Sequence, residues 1–295
     1  MQAFPQCNTR LLLQVAGLSP STYYDNRMKV ANKSRPGPKP IFTDAKVLEA
    51  VKGYLKAPDF YLEGYKKIHK RLVKKGIKVA KERLRRILSE ANLLCHQNKR
   101  EHPQVSDHDG SITTERPNEL WGMDVKEFKT LIGKIYFMGV IDHFNSEIKG
   151  SHVSTKHTSK EVMQAMRNAV RNEFGTTNKE ICKPAVLSMR IDHGSEFDSK
   201  AFEKELLFLG IKKSSAYVRS PQCNGIIERF HRTLQEQAVD IYSATTLEEA
   251  KKIINEFINR YNENWLLHRL GLESPIEYRK AYSASGNTDP EGVRH

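Results

Sequence analysis

Apolar residues recur at helical spacing through residues 44–91, then at alternate positions from about residue 118, and this change of period divides the chain. In "DAKVLEAVKGYLKA", Val47, Leu48, Val51, Tyr54 and Leu55 share one face. In "GYKKIHKRLVKKG", Tyr65, Ile68, Leu72 and Val73 do so, and Gly76 supplies a stop. In "VAKERLRRILSEANLL" the stripe is Ala80, Leu84, Ile87, Leu88 and Ala91. Three amphipathic helices are therefore predicted. Before them, residues 9–24 predict a short helix, a turn at Gly17-Leu18-Ser19-Pro20 and a second helix start. "NKSRPGPKP" at 32–40 reads as a basic linker, because Pro and Gly interrupt both periods.

Residues 98–118 are polar and aperiodic and predict a second linker. "NELWGMDVKEF", "KIYFMGVIDHF" and "EIKGSHVST" then read as three strands of an antiparallel meander. A helix, "SKEVMQAMRNAVRNEFG", precedes the strand "AVLSMRID"; the helix "SKAFEKELLFLG" precedes the short strand "IKKSSA". The polar loop "YVRSPQCNG" leads into a helix, "IIERFHRTLQEQAV", with Asn224 as its cap. The order β-β-β-α-β-α-β-α predicts an α/β fold, a mixed five-stranded sheet flanked by helices. The expected divisions are 1–40 (helical segment and linker), 41–97 (helix-turn-helix-like unit), 98–117 (linker), 118–240 (mixed-sheet core) and 241–295 (helical tail).

Charge sharpens this division. Residues 1–117 carry 23 Lys/Arg against 11 Asp/Glu, whereas residues 118–295 carry 25 against 24. A surplus confined to the helical portion predicts a polyanion-binding module joined to a nearly neutral core. Lys66, Lys67, Lys70, Arg71, Lys74, Lys75, Lys81, Arg83, Arg85 and Arg86 lie off the apolar stripes. Lys67, Lys70, Arg85 and Arg86 are the expected contacts to DNA backbone, although a solvated bundle surface accounts for a single such pattern equally well. Phosphate contacts position a protein without reading sequence. No basic-then-apolar leader opens the chain and no apolar run reaches the roughly 20 residues of a membrane helix, which predicts a cytoplasmic protein with no membrane partner. Cys7, Cys95, Cys182 and Cys223 are scattered and predict no disulfide framework. "CHQNKREH" holds one cysteine in a polar linker, a weak zinc signal.

Three acids stand out by position: Asp124 inside the first strand, Asp192 at the end of the fourth, and Glu228 on the first turn of a helix rich in Ile and Phe. Buried singly, each is costly; brought together they repel unless protonated or bridged by a cation. Magnesium prefers such oxygen donors, and two ions about 3.5–4 Å apart can clamp both oxygens of an in-line phosphoryl displacement. Commoner uses exist. Glu228 can serve the helix dipole and Asp192 can open an Asx turn. Asp142 reads as strand-end structure, and Glu196 and Asp198 as turn or cap residues.

Thirty-five residues separate Asp192 from Glu228, the separation typical of DDE transposases and retroviral integrases. With "LWGMD", "IDHGSEF", "SPQCNGIIERFHRTL" and "YNENWLLHRLGLESPIEY", the chain resembles the downstream-frame product of bacterial insertion-sequence transposases of the IS-three family. "EGYKKIHKRLVKKGIKVAKERLRRILSEANLL" resembles that family's helix-turn-helix segment, and "LLLQVAGLSPSTYY" its start.

The resemblance implies a ribonuclease-H-like core in which Asp124, Asp192 and Glu228 hold two Mg²⁺ ions, with Mn²⁺ as substitute. Asp124 would touch both. It implies DNA cleavage and strand transfer at element ends by direct attack of water or a 3′-hydroxyl, with no covalent enzyme intermediate. The partners it implies are double-stranded DNA (terminal repeats and target), further copies of the chain on DNA, and an upstream-frame product or fusion. It sets the protein at the bacterial nucleoid.

Departures from the family pattern are Gln235 for a basic residue, Lys126 for Thr, Cys223 for Asp, and Trp265, Leu266 and Leu267 for an Arg-Pro-His cluster. Arg232, one turn after Glu228, is the expected replacement contact to DNA ends. No sustained heptad repeat appears. The competing functional readings are a non-catalytic DNA-binding regulator or relic, and a metal-dependent nuclease on the same fold.

Overall fold

The computed structural model describes residues 9–21, 40–95, 114–191, 194, 196–215 and 225–286. The chain divides into two compact units, residues 1–43 and 44–295. In the first, α1 spans Thr9–Val15 and buries Leu13.

The second unit opens with three helices, α2 (Asp44–Lys56), α3 (Tyr65–Lys74) and α4 (Lys81–Glu90). Their contact surface is the expected stripe: Val47, Val51 and Tyr54, then Ile68 and Leu72, then Leu84, Ile87 and Leu88. Leu55, Val73 and Ala80 are exposed, contrary to the stripe pattern, each lying one residue beyond a position that is buried: Tyr54, Leu72 and Val79. Gly76 ends α3 at φ +81°, a conformation open to glycine at no cost.

Five strands follow: β1 (Leu120–Thr130), β2 (Gly133–Asp142), β3 (Ile148–Ser154), β4 (Ser188–Ile191) and β5 (Lys212–Ser215). They form one sheet in the order β3-β2-β1-β4-β5. The first three are antiparallel, as the meander pattern predicts, while β4 runs parallel to β1 and β5 parallel to β4. A parallel step needs a crossover helix. Helix α5 (Ser159–Phe174) fills the connection from β3 to β4, and α6 (Lys200–Leu209) that from β4 to β5. This is the ribonuclease-H-like topology.

Strand alternation sorts side chains onto two helical layers. Met123, Met138, Val140 and Met189 pack with Val162, Met166 and Val170 of α5 and Phe202 and Leu206 of α6. Phe128, Ile135, Phe137 and Ile141 face the other way, toward α7 (Gly225–Leu234) and α8 (Leu247–Asn264). The α5 layer sits close, because a Cβ on Gly150 of β3 would lie 2.3 Å from the backbone nitrogen of Ala169.

Helix α7 gives way at Gln235–Val239 to a π-helical turn, and α9 (Pro275–Ala284) closes the unit behind a Ser274–Glu277 capping box. The tail is pinned by charge. Buried Lys149 reaches Glu147 at 2.6 Å and Glu173 at 2.9 Å, and Arg279 of α9 grips Glu173 with both terminal nitrogens. Among the described residues, no helix is long and apolar enough to cross a membrane.

Candidate active site

Asp124 lies on β1 two residues from Gly122 and four from Phe128, so its side chain belongs to the α7–α8 face of the sheet. Its register partner on β2 is Gly139, over which the Phe137 ring folds; a Cβ there would meet that ring at 2.5 Å. The carboxylate is partly exposed, with 19 % of the side chain accessible, and Oδ1 accepts the Val125 amide at 2.8 Å. Oδ2 lies 3.4 Å from Nδ1 of His231 on α7. Helix α7 thus crosses the sheet directly over Asp124.

Its packing explains this. Ile227, Phe230, His231 and Leu234 form the buried face of α7, with Phe230 against Phe137 at 5.9 Å and Tyr261 at 4.8 Å. Glu228 is exposed, one turn before His231 and about 4.5 Å from it along the helix axis. Arg232 and Gln235 are exposed on the same helix. Burial pushes the His231 imidazole down to about 3, with Lys126 adding repulsion, so the ring is neutral at physiological pH.

Asp192 lies outside the described residues; the strand that leads to it, β4, ends at Ile191. The same is true of the cap Asn224 and of Cys223. Among the described residues, no group of three or more His, Cys, Asp or Glu is gathered closely enough to hold a metal ion. The acids set aside in the sequence behave structurally. Asp142 is buried and accepts the Asn118 and Phe144 amides, each at 2.9 Å, as strand-end architecture requires; burial nonetheless raises its pKa to about 6. Asp198 lies 3.9 Å from Lys213.

The basic residues expected to meet DNA have partners within the chain. Lys67 stands with its ammonium 3.4 Å from the centre of the Trp265 ring. Lys70 pairs with Glu273 at 2.6 Å, and Lys74 beside it with Glu277 at 2.5 Å. Arg86 reaches Asp44 at 2.7 Å and Glu90 at 3.5 Å, while Arg85 is 59 % exposed, 3.8 Å from Glu82. Around Lys67 the packing is extensive: Phe60 meets Trp265 edge-on at 4.8 Å and Phe257 at 6.3 Å. Arg71 donates to the Asn264 carbonyl, and Tyr61 exchanges two backbone hydrogen bonds with the Gln237 amide at 2.8 and 3.0 Å. The segment at Asn264 and Trp265 is therefore engaged by α3.

Two features of the site differ in how far the sequence encodes them. His231 carried a legible signal, since it stands three residues after Glu228 and hence on a neighbouring part of the helix face. The seating of Trp265, Glu273 and Glu277 on α3 spans about two hundred residues and has no local signature.

Residues 117–242 match the family described as the TnsB C-terminal domain. The putative transposase InsK of insertion sequence IS150 from Escherichia coli K12 is 30% identical over 177 residues, 60% of this chain. That match spans 59% of the length of the InsK protein. The transposase of IS629 from Shigella sonnei is 26% identical over 284 residues, 92% of both chains. Among solved structures, the HTLV-2 integrase catalytic core domain in complex with magnesium aligns with a TM-score of 0.40 at 20% identity, covering 56% of this chain and 97% of that one. The chain is thus similar to insertion-sequence transposases.

Proposed function

We propose that this chain, similar to insertion-sequence transposases, is a metal-dependent polynucleotidyl transferase that cleaves and joins DNA at element ends. The observation that carries the reading is the crossing of α7 over Asp124. It brings the helix bearing Glu228 to a partly exposed carboxylate on the central strands of a ribonuclease-H-like sheet, through the 3.4 Å approach of His231. The transposase relatives support the substrate class.

Asp124, Asp192 and Glu228 are the proposed ligands of two Mg²⁺ ions. The donor chemistry fits: the candidates are all carboxylates, the hard oxygen donors magnesium selects, and both described ones reach solvent. The bound ions would lower the pKa of an attacking water or 3′-hydroxyl and balance charge on the leaving oxygen. The chain's own part is to hold the carboxylates on rigid elements. Asp124 is fixed by the sheet and by the Val125 amide, and Glu228 rides on a helix anchored by Phe230. Arg232, exposed one turn on, is the proposed contact to the DNA end, with Arg85 and Arg86 contacting backbone from α4. The protein would act as an oligomer on DNA, alone or with an upstream-frame partner.

Asp124→Asn, Asp192→Asn and Glu228→Gln should each abolish strand transfer with Mg²⁺ or Mn²⁺ while leaving thermal unfolding and salt-dependent DNA binding near those of the wild type. Joining activity retained by any one of them removes that residue from the site. Products that are nicked but never joined would favour a nuclease instead, and metal-independent DNA binding with neither product a regulator.

A further inference from the structure

We propose that His231 is a positioning residue for Asp124, presenting an Nδ1–H to carboxylate oxygen Oδ2 and so fixing the orientation in which Asp124 meets its ligand. The inference rests on Asp124 serving as proposed above.

The imidazole is 3 % exposed and walled by aromatic rings, Phe137 edge-on at 5.7 Å and Phe230 at 6.2 Å, so its plane has little freedom. Its two nitrogens have different surroundings. Nε2 is buried with no hydrogen-bond partner, whereas Nδ1 is 3.4 Å from Asp124 Oδ2. A neutral ring carries one proton. On Nε2 it would be an orphaned buried donor facing no acceptor, a penalty of roughly 1–3 kcal/mol. On Nδ1 it faces a carboxylate. The environment therefore selects the Nδ1–H tautomer, and a bare Nε2 among aromatic rings is the smaller cost.

Asp124 Oδ1 accepts the Val125 amide at 2.8 Å, and in this tautomer Oδ2 faces the imidazole N–H across 3.4 Å, a separation that a small closure turns into a hydrogen bond. A carboxylate oxygen has two lone pairs, so accepting one N–H leaves capacity for a cation. Hydrogen bonds to a ligating carboxylate cut its rotational freedom, and removing such support typically lowers metal affinity about 10–100-fold. The spacing has a structural logic too. With Glu228 one turn earlier, one helix would supply a ligand and the group that orients another element's ligand.

The test uses the full chain. In wild-type protein labelled with ¹⁵N-histidine, the His231 resonances should report a ring protonated at Nδ1 at neutral pH; protonation at Nε2 overturns the proposal without any variant being made. Mn²⁺ alone, titrated by calorimetry, provides the second arm. His231→Phe keeps the ring and loses the donor, and should weaken Mn²⁺ binding about 10–100-fold. His231→Asn places an amide N–H near the old Nδ1 and should recover most of that loss. Equal affinity in wild type and His231→Phe, or equal loss in both variants, defeats the proposal. Asp124→Asn separates the two readings. If it binds Mn²⁺ as wild type does, the assignment of Asp124 as a ligand fails and the positioning role falls with it, whatever tautomer is seen.

Discussion

Lys67 tests the docking of the three-helix segment on the tail. The residue is half-buried, and burial, partly countered by Glu63, moves its pKa from the ordinary 10.5 to about 8. Keeping that charge in place at pH 7 costs about 3.4 kcal/mol by the usual conversion. The Trp265 ring face lies beneath it, 3.4 Å from centroid to nitrogen. The net penalty is therefore about 3 kcal/mol. Lys67→Met keeps an unbranched stem over the same ring and removes the charge, so the variant should be more stable than wild type by about that amount at pH 7.

The pH dependence has a definite sign. Because the folded pKa lies below the unfolded one, the unfolded chain binds more protons between about pH 8 and 10.5, and wild-type stability rises with pH there. The penalty is fully present below about pH 8 and fades toward 10.5. Paired urea unfolding curves at pH 7, 9 and 10 should show the advantage of Lys67→Met shrinking along that series, and titrations shared by both proteins cancel in the difference. A second assay distinguishes docking from DNA contact. If Lys67 held a phosphate, its loss would lower the slope of log affinity against log salt by about one; a lysine engaged with Trp265 leaves the slope unchanged. A variant no more stable at pH 7, with a pH-independent difference and a reduced salt slope, would refute the reasoning.

Three further outcomes are expected. Arg279→Met leaves Glu173 with Lys149 but without its guanidinium, and should cost about 3–5 kcal/mol in denaturant unfolding, as loss of a buried partner does. Gly150→Ala drives a methyl into the α5 backbone at Ala169, where neither side can yield without moving a helix; a loss of about 3 kcal/mol or more, or insoluble protein, is expected on expression and thermal melting. Glu273→Gln with Glu277→Gln unpairs Lys70 and Lys74, which should cost under about 1 kcal/mol because the pairs are partly exposed, and should steepen the salt dependence of DNA binding measured by fluorescence anisotropy.

How much of this was legible depended on the distance over which each feature is encoded. The three-helix stripe was legible because Val47, Val51, Ile68, Leu72, Leu84, Ile87 and Leu88 repeat at a period the backbone imposes. The meander and its parallel continuation followed from period-two runs and intervening helices, and the α7–α8 face of β1 is written in the parity of Asp124 and Phe128. The π-helical turn after Leu234 was not legible, since "QEQAV" is acceptable to an ordinary helix and the change comes with Gln237 reaching Tyr61. Nor was the engagement of α3. A lysine on a polar helix face looks alike whether it meets water, a phosphate or a tryptophan ring, and the choice is made by Trp265, Glu273 and Glu277. Charge surplus predicts attraction to a polyanion; it does not say which cations the fold has already engaged.

That engagement bears on how the helix carrying Glu228 is held. Its buried side rests on the sheet through Phe230 and Phe137, but its C-terminal extension is tied through Gln237 to both backbone groups of Tyr61. Phe60 sits in the same apolar cluster as Phe230, Phe257 and Tyr261. Moving residues 44–95 away from the tail would strip the Gln237 amide of two hydrogen bonds, about 1–3 kcal/mol if it stayed buried, and would expose the Phe60 ring, about 2 kcal/mol more. Breaking the Lys67, Lys70 and Lys74 contacts adds to this, and the relief of Lys67 desolvation offsets part of it. The orientation of α7 is thus shared between the sheet below it and the three-helix segment beside it. Whatever shifts that segment acts on the same packed cluster that sets where Glu228 stands.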